Sequence, residues 1–496
     1  MSETLRPLLP VSSLFDAGYL EHNEVLPLDN EKGRLQVAVS RSPAPEVLDD
    51  LQLTYGLPIE QITVSRDELV EGIRWSFAQA ESVVELIREW DSGAGSGEDI
   101  VNGVIDARDL ANQPPVIRFV NLLIRDAHEA RASDIHLEST DKGMRVRFRV
   151  DGVLADAPSP PPALQAAVVS RVKLLADLDI AERRHPQDGR IRLRLEEREL
   201  DLRVATVPTL HGESVVLRLL DRGGRPVALD ELGLTASSFD TFRQLALKPH
   251  GLLLATGPTG SGKTTTLYAA MGLRPASAEK IITVEDPIEY HLRDVTQVPV
   301  HGKAGVTFAT ALRSILRQDP DVLMIGEMRD PETAAIGIQA AMTGHLVFST
   351  VHTNDAVSAL ARLVDLGVEP YMVAAALEGV LAQRLVRRTC SECRERYKPD
   401  PQSISLLARR PAIQVTLEHG RGCAACRNTG YKGRTGLFEL LVMTDELKNA
   451  FSERASLVHM RELARSQGML TLHDDGWAKV QAGLTTVEEV LRVTQG

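Results

Sequence analysis

Eight residues near the middle of the chain have the types and the spacing of a phosphate-binding loop. The segment GPTGSGKT, residues 257–264, fits the pattern GxxxxGK[ST], whose glycines let consecutive backbone N–H groups point at a phosphate chain. An apolar stretch at 252–255 precedes the loop and a helical pattern at 264–271 follows it. The pattern predicts a nucleoside triphosphate site formed by Gly257, Pro258, Thr259, Gly260, Ser261, Gly262, Lys263, Thr264 and Thr265.

Two side chains of this loop have expected chemical roles. The Lys263 ammonium would reach the β- and γ-phosphates of ATP, and the Thr264 hydroxyl would take one position on Mg²⁺. The alternative is a glycine-rich turn that fits the pattern by chance. The strand and helix patterns on either side favour the phosphate site.

A candidate catalytic carboxylate follows a second apolar stretch. Residues 322–325 predict a buried strand, and Gly326 and Glu327 come next, where the acid of a Walker B motif is expected. The common pattern has an aspartate at the position of Gly326. We therefore expect Glu327 to orient or deprotonate water, while Mg²⁺ depends on Thr264, phosphate oxygens and its own waters. The alternative is an exposed carboxylate at the start of a helix.

Two further polar residues follow predicted strands, at the edge where ligands collect in parallel α/β sheets. Glu285 follows the strand predicted at 281–284, and His352 follows the strand predicted at 346–351. We take Glu285 as a catalytic candidate and His352 as a γ-phosphate sensor.

A predicted helix at 308–317 adds two arginines, because Arg313 and Arg317 are four residues apart and share one helical face. His345 is seven residues from His352, so the two imidazoles point to opposite sides of a straight strand. This spacing argues against a shared metal ion, and we expect His345 to support the fold or an interface.

The four cysteines form two Cys-x-x-Cys pairs, Cys390 with Cys393 and Cys423 with Cys426. Two such pairs can complete a closed tetrahedral Zn²⁺ site that has no open position for catalysis. The 29 residues between the pairs, 394–422, predict an inserted helical loop. Two disulfides are the rival interpretation, and a cytosolic chain disfavours them.

The elements that position these residues imply several folding units, because 496 residues exceed what one hydrophobic core usually serves. Alternating strands and helices around the loop predict a mainly parallel α/β domain. The predicted divisions are an N-terminal docking module at 1–90, a flexible linker at 91–104, an α+β domain at 105–221, the P-loop domain at 222–386, a Cys₄ zinc module at 387–437 and a helical C-terminal region at 438–496.

The α+β domain is predicted to be rich in strand arginines. Residues 144–150 alternate as MRVRFRV, which places three arginines on one face of a sheet: Arg145, Arg147 and Arg149. Arg203 and Arg218 belong to later predicted strands, away from this ladder. Their spacing alone does not distinguish a catalytic role from a solvated sheet face.

Charge is concentrated at one end of the chain. Residues 1–100 contain 7 basic and 19 acidic residues, which accounts for the whole formal charge of −12. Stable binding to nucleic acid is therefore not expected, since that affinity depends on excess Lys and Arg. The acidic module suits an adaptor, although a solvated surface without a partner fits the charge equally well. No apolar run reaches membrane-spanning length and Met1–Arg6 does not resemble an export signal, so a cytosolic location is expected.

In combination, five motifs resemble those of the secretion ATPase superfamily of type II and type IV systems. The motifs are GPTGSGKTTTLY, ITVEDPIEY, LRSILRQDPDVLMIGEMRD, TGHLVFSTVHTNDA and the paired CxxC, which match Walker A, Asp box, Walker B, His box and metal module. QDGRI at 187–191, HGESVVLRLLD at 211–221 and the overall length are similar to the type II secretion branch.

This resemblance covers residues from about 105 to the end and implies a RecA-like P-loop ATPase domain after a PAS-like α+β domain. It also implies a cytoplasmic homohexamer, peripheral on the inner membrane, docked on platform and linker proteins. Such an assembly would use ATP, Mg²⁺ and Zn²⁺ to build a periplasmic pseudopilus. Residue by residue, the motifs imply that Arg203, Arg218, Arg313 and Arg317 lie near the nucleotide phosphates.

Two other functions remain open at this level. The same chemistry could power a type IV pilus extension machine or a DNA-uptake relative. Alternatively, the chain could be a nucleotide-binding scaffold without turnover. Intact Lys263, Thr264 and Glu327 argue against the scaffold.

Overall fold

The computed structural model describes residues 15, 17–31, 34–55, 58–66, 68–70, 73, 111, 114–195, 198–221, 227–408 and 415–495. The chain divides into two compact units, Met1–Leu220 and Asp221–Gly496. Among the helices of these described residues, none has both the length and the apolar character needed to cross a membrane.

The N-terminal module of the first unit is a three-stranded sheet with two helices. The first two strands pair antiparallel, and the third strand runs parallel to the second. The elements are α1 (Ala17–Asn23), β1 (Val25–Glu31), β2 (Arg34–Val39), α2 (Pro45–Tyr55) and β3 (Ile59–Thr63). The predicted linker at 91–104 lies outside the described residues.

The second domain of this unit is a six-stranded sheet in the order β6-β5-β4-β9-β8-β7, with two helices packed on it. Its elements are α3 (Pro114–Glu129), β4 (Ala132–Thr140), β5 (Gly143–Val150), β6 (Val153–Ala157), α4 (Gln165–Leu175), β7 (Gln187–Leu195), β8 (Arg198–Thr209) and β9 (Gly212–Asp221). Met144, Val146 and Phe148 of β5 are buried, whereas Arg145 between them is exposed. The predicted alternation of β5 is confirmed.

The prediction that Arg218 lies away from the arginine ladder is wrong. Asp134 of β4 is directly opposite Arg149 of β5 on one side and Arg218 of β9 on the other. Its carboxylate accepts from Arg218 Nε at 3.1 Å and lies 3.7 Å from Arg149 Nε. Arg203 lies on β8, opposite Arg190 of β7. The sequence could not show that β9 pairs with β4, because that pairing joins residues more than 70 positions apart.

The second unit is built on a seven-stranded sheet in the order β12-β11-β13-β14-β10-β15-β18. All pairs are parallel except β15 with β18. The strands are β10 (Gly251–Thr256), β11 (Ile281–Glu285), β12 (Thr296–Pro299), β13 (Val322–Ile325), β14 (Leu346–Val351), β15 (Leu377–Thr389) and β18 (Tyr431–Val442). The four strands predicted around the loop are confirmed. The sequence analysis did not find β12, β15 or β18.

Helices cover both faces of this sheet, so its central strands are buried on both sides and read as continuous apolar runs. In β10, Leu252 and Leu254 join one core cluster, while Leu253 and Ala255 join the cluster on the opposite face. The helices are α5 (Ala236–Ala246), α6 (Lys263–Met271), α7 (Phe308–Ile315), α8 (Pro331–Met342), α9 (Ser358–Asp365) and α10 (Pro370–Ala376).

The cysteine pairs lie between β15 and β18. This segment contains the antiparallel pair β16 (Arg394–Tyr397) and β17 (Leu417–Gly420), with helix α11 (Pro401–Ala408) between the two strands. The predicted module boundaries at 386/387 and 437/438 fall inside β15 and β18, which pair with each other as part of the main sheet. Four helices follow: α12 (Asp445–Ser452), α13 (Leu457–Ser466), α14 (Leu472–Gln481) and α15 (Val487–Thr494).

Candidate nucleotide site

The parallel sheet brings the predicted site residues of the second unit to one edge. Four neighbouring strands end at this edge: β11, β13, β14 and β10. β11 ends with Glu285, and Glu327, His352 and the phosphate-binding loop follow β13, β14 and β10. The carboxyl ends of parallel strands are where ligands bind in sheets of this type.

The loop has the backbone shape that a phosphate cradle requires. Gly257, Gly260 and Gly262 have φ values of 146°, 76° and 87°, a region that favours glycine. A Cβ at Gly257 would come within 2.4 Å of the Gln383 carbonyl oxygen, so a side chain there would displace the loop. α6 begins at Lys263, immediately after Gly262, so its N-terminus faces the loop.

Lys263 is held inside this loop by the chain itself. Its Nζ donates to the carbonyls of Gly257 at 2.8 Å and Pro258 at 3.0 Å, and the residue is only 8% exposed. Burial lowers the pKa of Lys263 to about 8. The charge of Glu327 opposes this shift and that of Arg384 adds to it. The Ser261 hydroxyl is also buried in the loop, and Thr264 and Thr265 are half-buried in the first turn of α6.

Glu327 is buried and lies between two cationic or titratable groups. Its Oε2 is 2.5 Å from Arg329 Nε and 3.4 Å from His352 Nε2. The backbone around it is fixed to β14, since Met328 N donates to the Thr350 carbonyl at 3.0 Å and the Thr350 hydroxyl donates to the Gly326 carbonyl at 2.7 Å. The carboxylate therefore has a defined place beside His352.

Gly326 fits closely against the neighbouring strand. A Cβ there would stand 3.3 Å from the Val284 carbonyl oxygen and 3.4 Å from the Glu285 Cα. The space around residue 326 thus suits glycine, which is consistent with the departure from the common Walker B pattern.

A hydrogen-bond cluster ties the phosphate loop to the His352 segment. The Thr256 hydroxyl at the end of β10 lies 2.7 Å from the Thr353 hydroxyl and accepts from Thr353 N at 2.9 Å. His352 itself is nearly half exposed and points into the site. His345, at the other end of β14, places its Nδ1 3.0 Å from the Ala340 carbonyl, in keeping with the structural role expected for it.

Glu285 is enclosed in a buried polar cluster. Its carboxylate accepts from the hydroxyls of Tyr268 and Thr283 and from Gln297 Nε2, the last at 3.2 Å. Burial, with the bond to Glu285 as a second cause, raises the pKa of Tyr268 far above its usual range. These contacts indicate a group that fixes β11 and α6 rather than one that touches substrate.

Arg313 of α7 and Arg317, just beyond the end of that helix, lie on the surface. Arg313 pairs with Glu332 of α8, and Arg317 donates to the Arg313 carbonyl at 2.7 Å. The helix ends at Ile315, two residues before Arg317. It is therefore shorter than predicted and contains only Arg313 of the two arginines.

Three residues beside the loop and Glu327 were not predicted from the sequence: Arg329, Gln383 and Arg384. Gln383 lies beneath the loop and accepts from the Thr266 hydroxyl at 2.6 Å. Arg384 donates to the Gln383 carbonyl at 3.4 Å. The available signal was a glutamine and an arginine inside the otherwise apolar run VLAQRLV, at a position where a buried strand rarely carries charge.

The four cysteines converge as the spacing predicts. Their sulfurs all lie within 4.8 Å of one another, and three of the four residues are buried. Cys390 and Cys423 sulfurs are 3.9 Å apart, and those of Cys393 and Cys426 are 3.8 Å apart. A tetrahedron with metal–sulfur bonds of about 2.3 Å has edges of about 3.8 Å, so the cluster can hold a metal ion such as zinc. All four thiols are free, which excludes the disulfide interpretation for this structure.

Backbone donors also favour a thiolate in this cluster. Burial raises the pKa of Cys426, but N–H groups of Cys423 at 3.1 Å and Gly430 at 3.3 Å outweigh that effect and lower it, whereas burial raises the pKa of the neighbouring Cys393. A thiolate is the form that binds metal.

Two family models match this chain. The model of the family "Type II/IV secretion system protein" matches residues 109–492, and that of the MshEN domain matches residues 3–83. The type II secretion system protein E of Xanthomonas campestris is 47% identical over all of this chain and 87% of its own length. The type IV pilus assembly ATPase PilB of Myxococcus xanthus is 40% identical over 95% of this chain and 84% of its own.

Solved structures show the same fold. The pilus retraction motor PilT with bound ADP matches with a TM-score of 0.51 and 25% identity, over 75% of this chain and 96% of its own. The ATPase DotB of Legionella pneumophila matches with a TM-score of 0.56 at 20% identity, over 76% and 95%, and supports the fold alone. With a family model covering most of its length and relatives of this identity, the chain belongs to the type II/IV secretion system protein family.

Proposed function

We propose that the chain is an ATP hydrolase whose loop at 257–264 binds the triphosphate and whose Glu327 activates the attacking water. One observation carries the proposal. Lys263, in the loop after β10, and Glu327, after β13, lie at the carboxyl edge of one sheet, and His352 directly follows β14, the strand between those two. Phosphoryl transfer requires a phosphate cradle and a water-orienting group on a rigid frame, and this edge supplies both.

Each residue of this edge has a defined task. Lys263 exchanges its two carbonyl partners for phosphate oxygens, and the loop N–H groups donate to the same phosphates. Glu327 orients water and takes its proton while His352 contacts the γ-phosphate side. The Arg329 side chain is 70% exposed. It can therefore move from Glu327 to solvent or to a phosphate without uncovering buried parts of its own side chain.

The Thr264 hydroxyl, at the start of α6, would hold Mg²⁺ together with phosphate oxygens and waters. The bound Mg²⁺ neutralises phosphate charge during transfer. Glu285 is assigned a positioning role, since it fixes Tyr268 of α6 and Gln297.

Four arginines complete the proposed machinery. Arg313 and Arg317 belong to the nucleotide-binding unit, whereas Arg203 and Arg218 belong to the domain before it. We propose that all four contact the nucleotide phosphates, because the sequence motifs that contain them resemble those of the secretion ATPases. A contact from Arg203 or Arg218 would link loss of the γ-phosphate to movement of that domain, because it would break charge-assisted hydrogen bonds.

We assign Zn²⁺ to the cysteine cluster as a structural ion. Four sulfur ligands at tetrahedral separations leave no position for water or substrate, so the site takes no part in hydrolysis.

For the physiological role we propose a cytoplasmic homohexamer that powers pseudopilus assembly and protein export by a type II secretion system, peripheral on the inner membrane. Support comes from relatives with that printed name, which match at 47% identity, and from the family model. The partners would be the platform and linker proteins of that system.

Hydrolysis is tested with Glu327→Gln. This change removes the water-orienting carboxylate and leaves the cradle intact, so ATP binding should persist while turnover falls by about 10² to 10⁴. Glu369→Gln is the control, because Glu369 is an exposed carboxylate paired with Arg454 on the surface. Near-normal turnover of Glu327→Gln would rule out the assigned base.

Docking is tested by removing residues 1–95, the acidic end of the chain. The truncated chain should bind ATP but fail to reach membranes that contain the secretion platform, and association of the full chain should slow as salt increases. Membrane recruitment equal to that of the full chain contradicts the docking role.

The choice of machine is tested by complementation. The gene should restore export to a strain that lacks its type II secretion ATPase and should not restore piliation to one that lacks its pilus assembly ATPase. Rescue of piliation alone would instead identify the type IV pilus machine.

A further inference from the structure

Arg384 is a buried cation behind the phosphate loop with neutral partners. The residue is 9% exposed and donates to three backbone carbonyls and one side-chain amide. Its Nη1 reaches the Gln383 carbonyl at 3.4 Å, its Nη2 reaches the carbonyl and side-chain oxygen of Asn354 at 3.1 and 3.2 Å, and its Nε reaches the Val493 carbonyl at 3.2 Å. Within the described part of the chain, no carboxylate forms an ion pair with this guanidinium.

The acids that act on Arg384 from a distance have other partners. Asp355 pairs with Arg461 at 3.1 Å. Glu439 accepts from the backbone N–H of Ala356 at 2.9 Å, and burial raises the pKa of Glu439 towards the neutral form. A buried guanidinium that lacks an ion-pair partner is costly, so its presence calls for an anion nearby.

The position of Arg384 indicates which anion it serves. Its Nη1 is 3.1 Å from the place where a Cβ on Gly257 would stand, so it backs the first glycine of the loop. Lys263 lies in the same loop and likewise bonds to carbonyls. These two buried cations, one in the glycine-rich loop and one behind it, are held by neutral groups and give a field that suits the triphosphate of a nucleotide.

Arg384 also joins this loop to the last turn of the chain. Asn354 lies two residues after His352, and Val493 lies in the final turn of α15. One side chain therefore bridges the loop floor, the His352 segment and the C-terminal helix. A guanidinium has the planar fork that three such directions require, whereas an ammonium does not.

We propose that Arg384 is a positioning residue for the phosphate cradle and that the C-terminal turn, through the Val493 carbonyl, holds it in place. This inference rests on the proposed binding of ATP in the loop. It adds that the far end of the chain contributes to nucleotide affinity, although α15 contains none of the residues assigned to the phosphates.

The test measures binding of fluorescent ADP and of a non-hydrolysable ATP analogue to the full-length, zinc-containing protein. Arg384→Met should lower analogue affinity by about tenfold or more, and Arg384→Lys should restore only part of it, since the charge returns without the fork. Arg388→Met is the matched control: Arg388 is exposed and lies four residues along the same strand. Its affinity should remain within about twofold of the wild type.

A truncation isolates the C-terminal contact. A chain that ends at Arg492 lacks the Val493 carbonyl but keeps Val487 and Val490, the buried anchors of α15. It should lose affinity severalfold. Combined with Arg384→Met it should lose no more than Arg384→Met alone, because both changes break one interaction. Additive losses, or unchanged affinity in the Arg384 variants, would overturn the proposal.

Two further readings separate local from global effects. Adding the ATP analogue should raise the melting temperature less in the Arg384 variants than in the wild type, with zinc content unchanged. If a variant instead has a lower melting temperature without ligand but the full rise on adding the analogue, Arg384 is only structural. If the wild-type chain binds no nucleotide, the proposed function itself fails. If the wild type binds and Arg384 variants bind equally, only this inference fails.

Discussion

The phosphate loop and the cysteine cluster both receive residues from β15, yet different interactions hold the two sites together. β15 contributes Gln383 and Arg384 to the loop and, one residue beyond its end, Cys390 to the cluster. The loop takes its shape from glycine backbone angles and from carbonyls that hold Lys263. The cluster brings four sulfurs together in a segment whose own sheet has two short strands.

From this difference we expect the fold to depend on the metal more than on the nucleotide. Loss of nucleotide leaves the loop supported by buried β10, β14 and β15, whereas loss of metal leaves thiols that can turn away from one another. A preformed site uses its ligand for chemistry, and a metal-assembled site uses its ligand for folding. The two sites should therefore respond differently to removal of their ligands.

The largest effect should follow removal of the metal. One Zn²⁺ per chain is expected. Cys393→Ser or Cys426→Ser should unfold the segment 390–430, since structural zinc contributes on the order of 10 to 16 kcal/mol where no site exists without it. The paired strands β15 and β18 lie outside that segment and should persist, with nucleotide binding intact. Hydrogen exchange measures both regions, and metal analysis counts the ion. Freshly reduced protein without zinc, or a segment that stays protected in both variants, would contradict the comparison.

The next largest effect concerns Arg203 and Arg218, which belong to the first unit, whereas the phosphate loop belongs to the second. If Arg203 and Arg218 contact the γ-phosphate, changing either to Ala should reduce turnover by about 10³ to 10⁵, roughly 4 to 7 kcal/mol, with little loss of ADP affinity. Arg145→Ala is a matched control for Arg218→Ala. Arg218 is 59% exposed and bound to Asp134, while Arg145 is 52% exposed and bound to Asp156. Equal, mild losses of turnover in all three variants would mean that the arginines of the first unit are not part of the site.

The sequence predicted the parts of the site that depend on local pattern. The loop, the strand ends with Glu327 and His352, and the cysteine pairs are each short segments whose chemistry is visible in their own residues. It could not predict the contacts of Arg384 or the place of Arg218, because these arise between distant segments. Arg329 was missed although its partner, Glu327, is only two residues away. Arg384 depends on Val493, 109 residues away, and Arg218 depends on Asp134, 84 residues away.

Strand recognition shows the same division. β10, β11, β13 and β14 were predicted because each is a short apolar run between helices. β15 was missed because it contains Gln383 and Arg384, two polar residues that interrupt the apolar pattern of a buried strand. β18 was missed because its first residues, YKGRTG, read as a loop, and its pairing with β15 makes it a strand.

The smallest effect is expected at the contact between α15 and the end of β15 that precedes Cys390. Glu489 of α15 is buried and accepts from Arg492 at 2.8 Å and Arg387 at 2.7 Å. Burial raises the pKa of Glu489, but these bonds outweigh it and lower the pKa to about 2 from 4.5. A lowered folded-state pKa means that the stabilisation is present above pH 4.5 and is lost as pH falls towards 2.

Glu489→Gln should therefore weaken the docking of α15 by about 2 kcal/mol at neutral pH, a figure reduced for solvent screening because Arg492 is 44% exposed. Hydrogen exchange of the α15 amides reports this local opening. Glu488→Gln is the control, since Glu488 is exposed on the same turn. The difference between Glu489→Gln and the wild type should shrink as pH is lowered from 6 to 3.5. A difference that does not change with pH would show that Glu489 acts through packing and not through its charge.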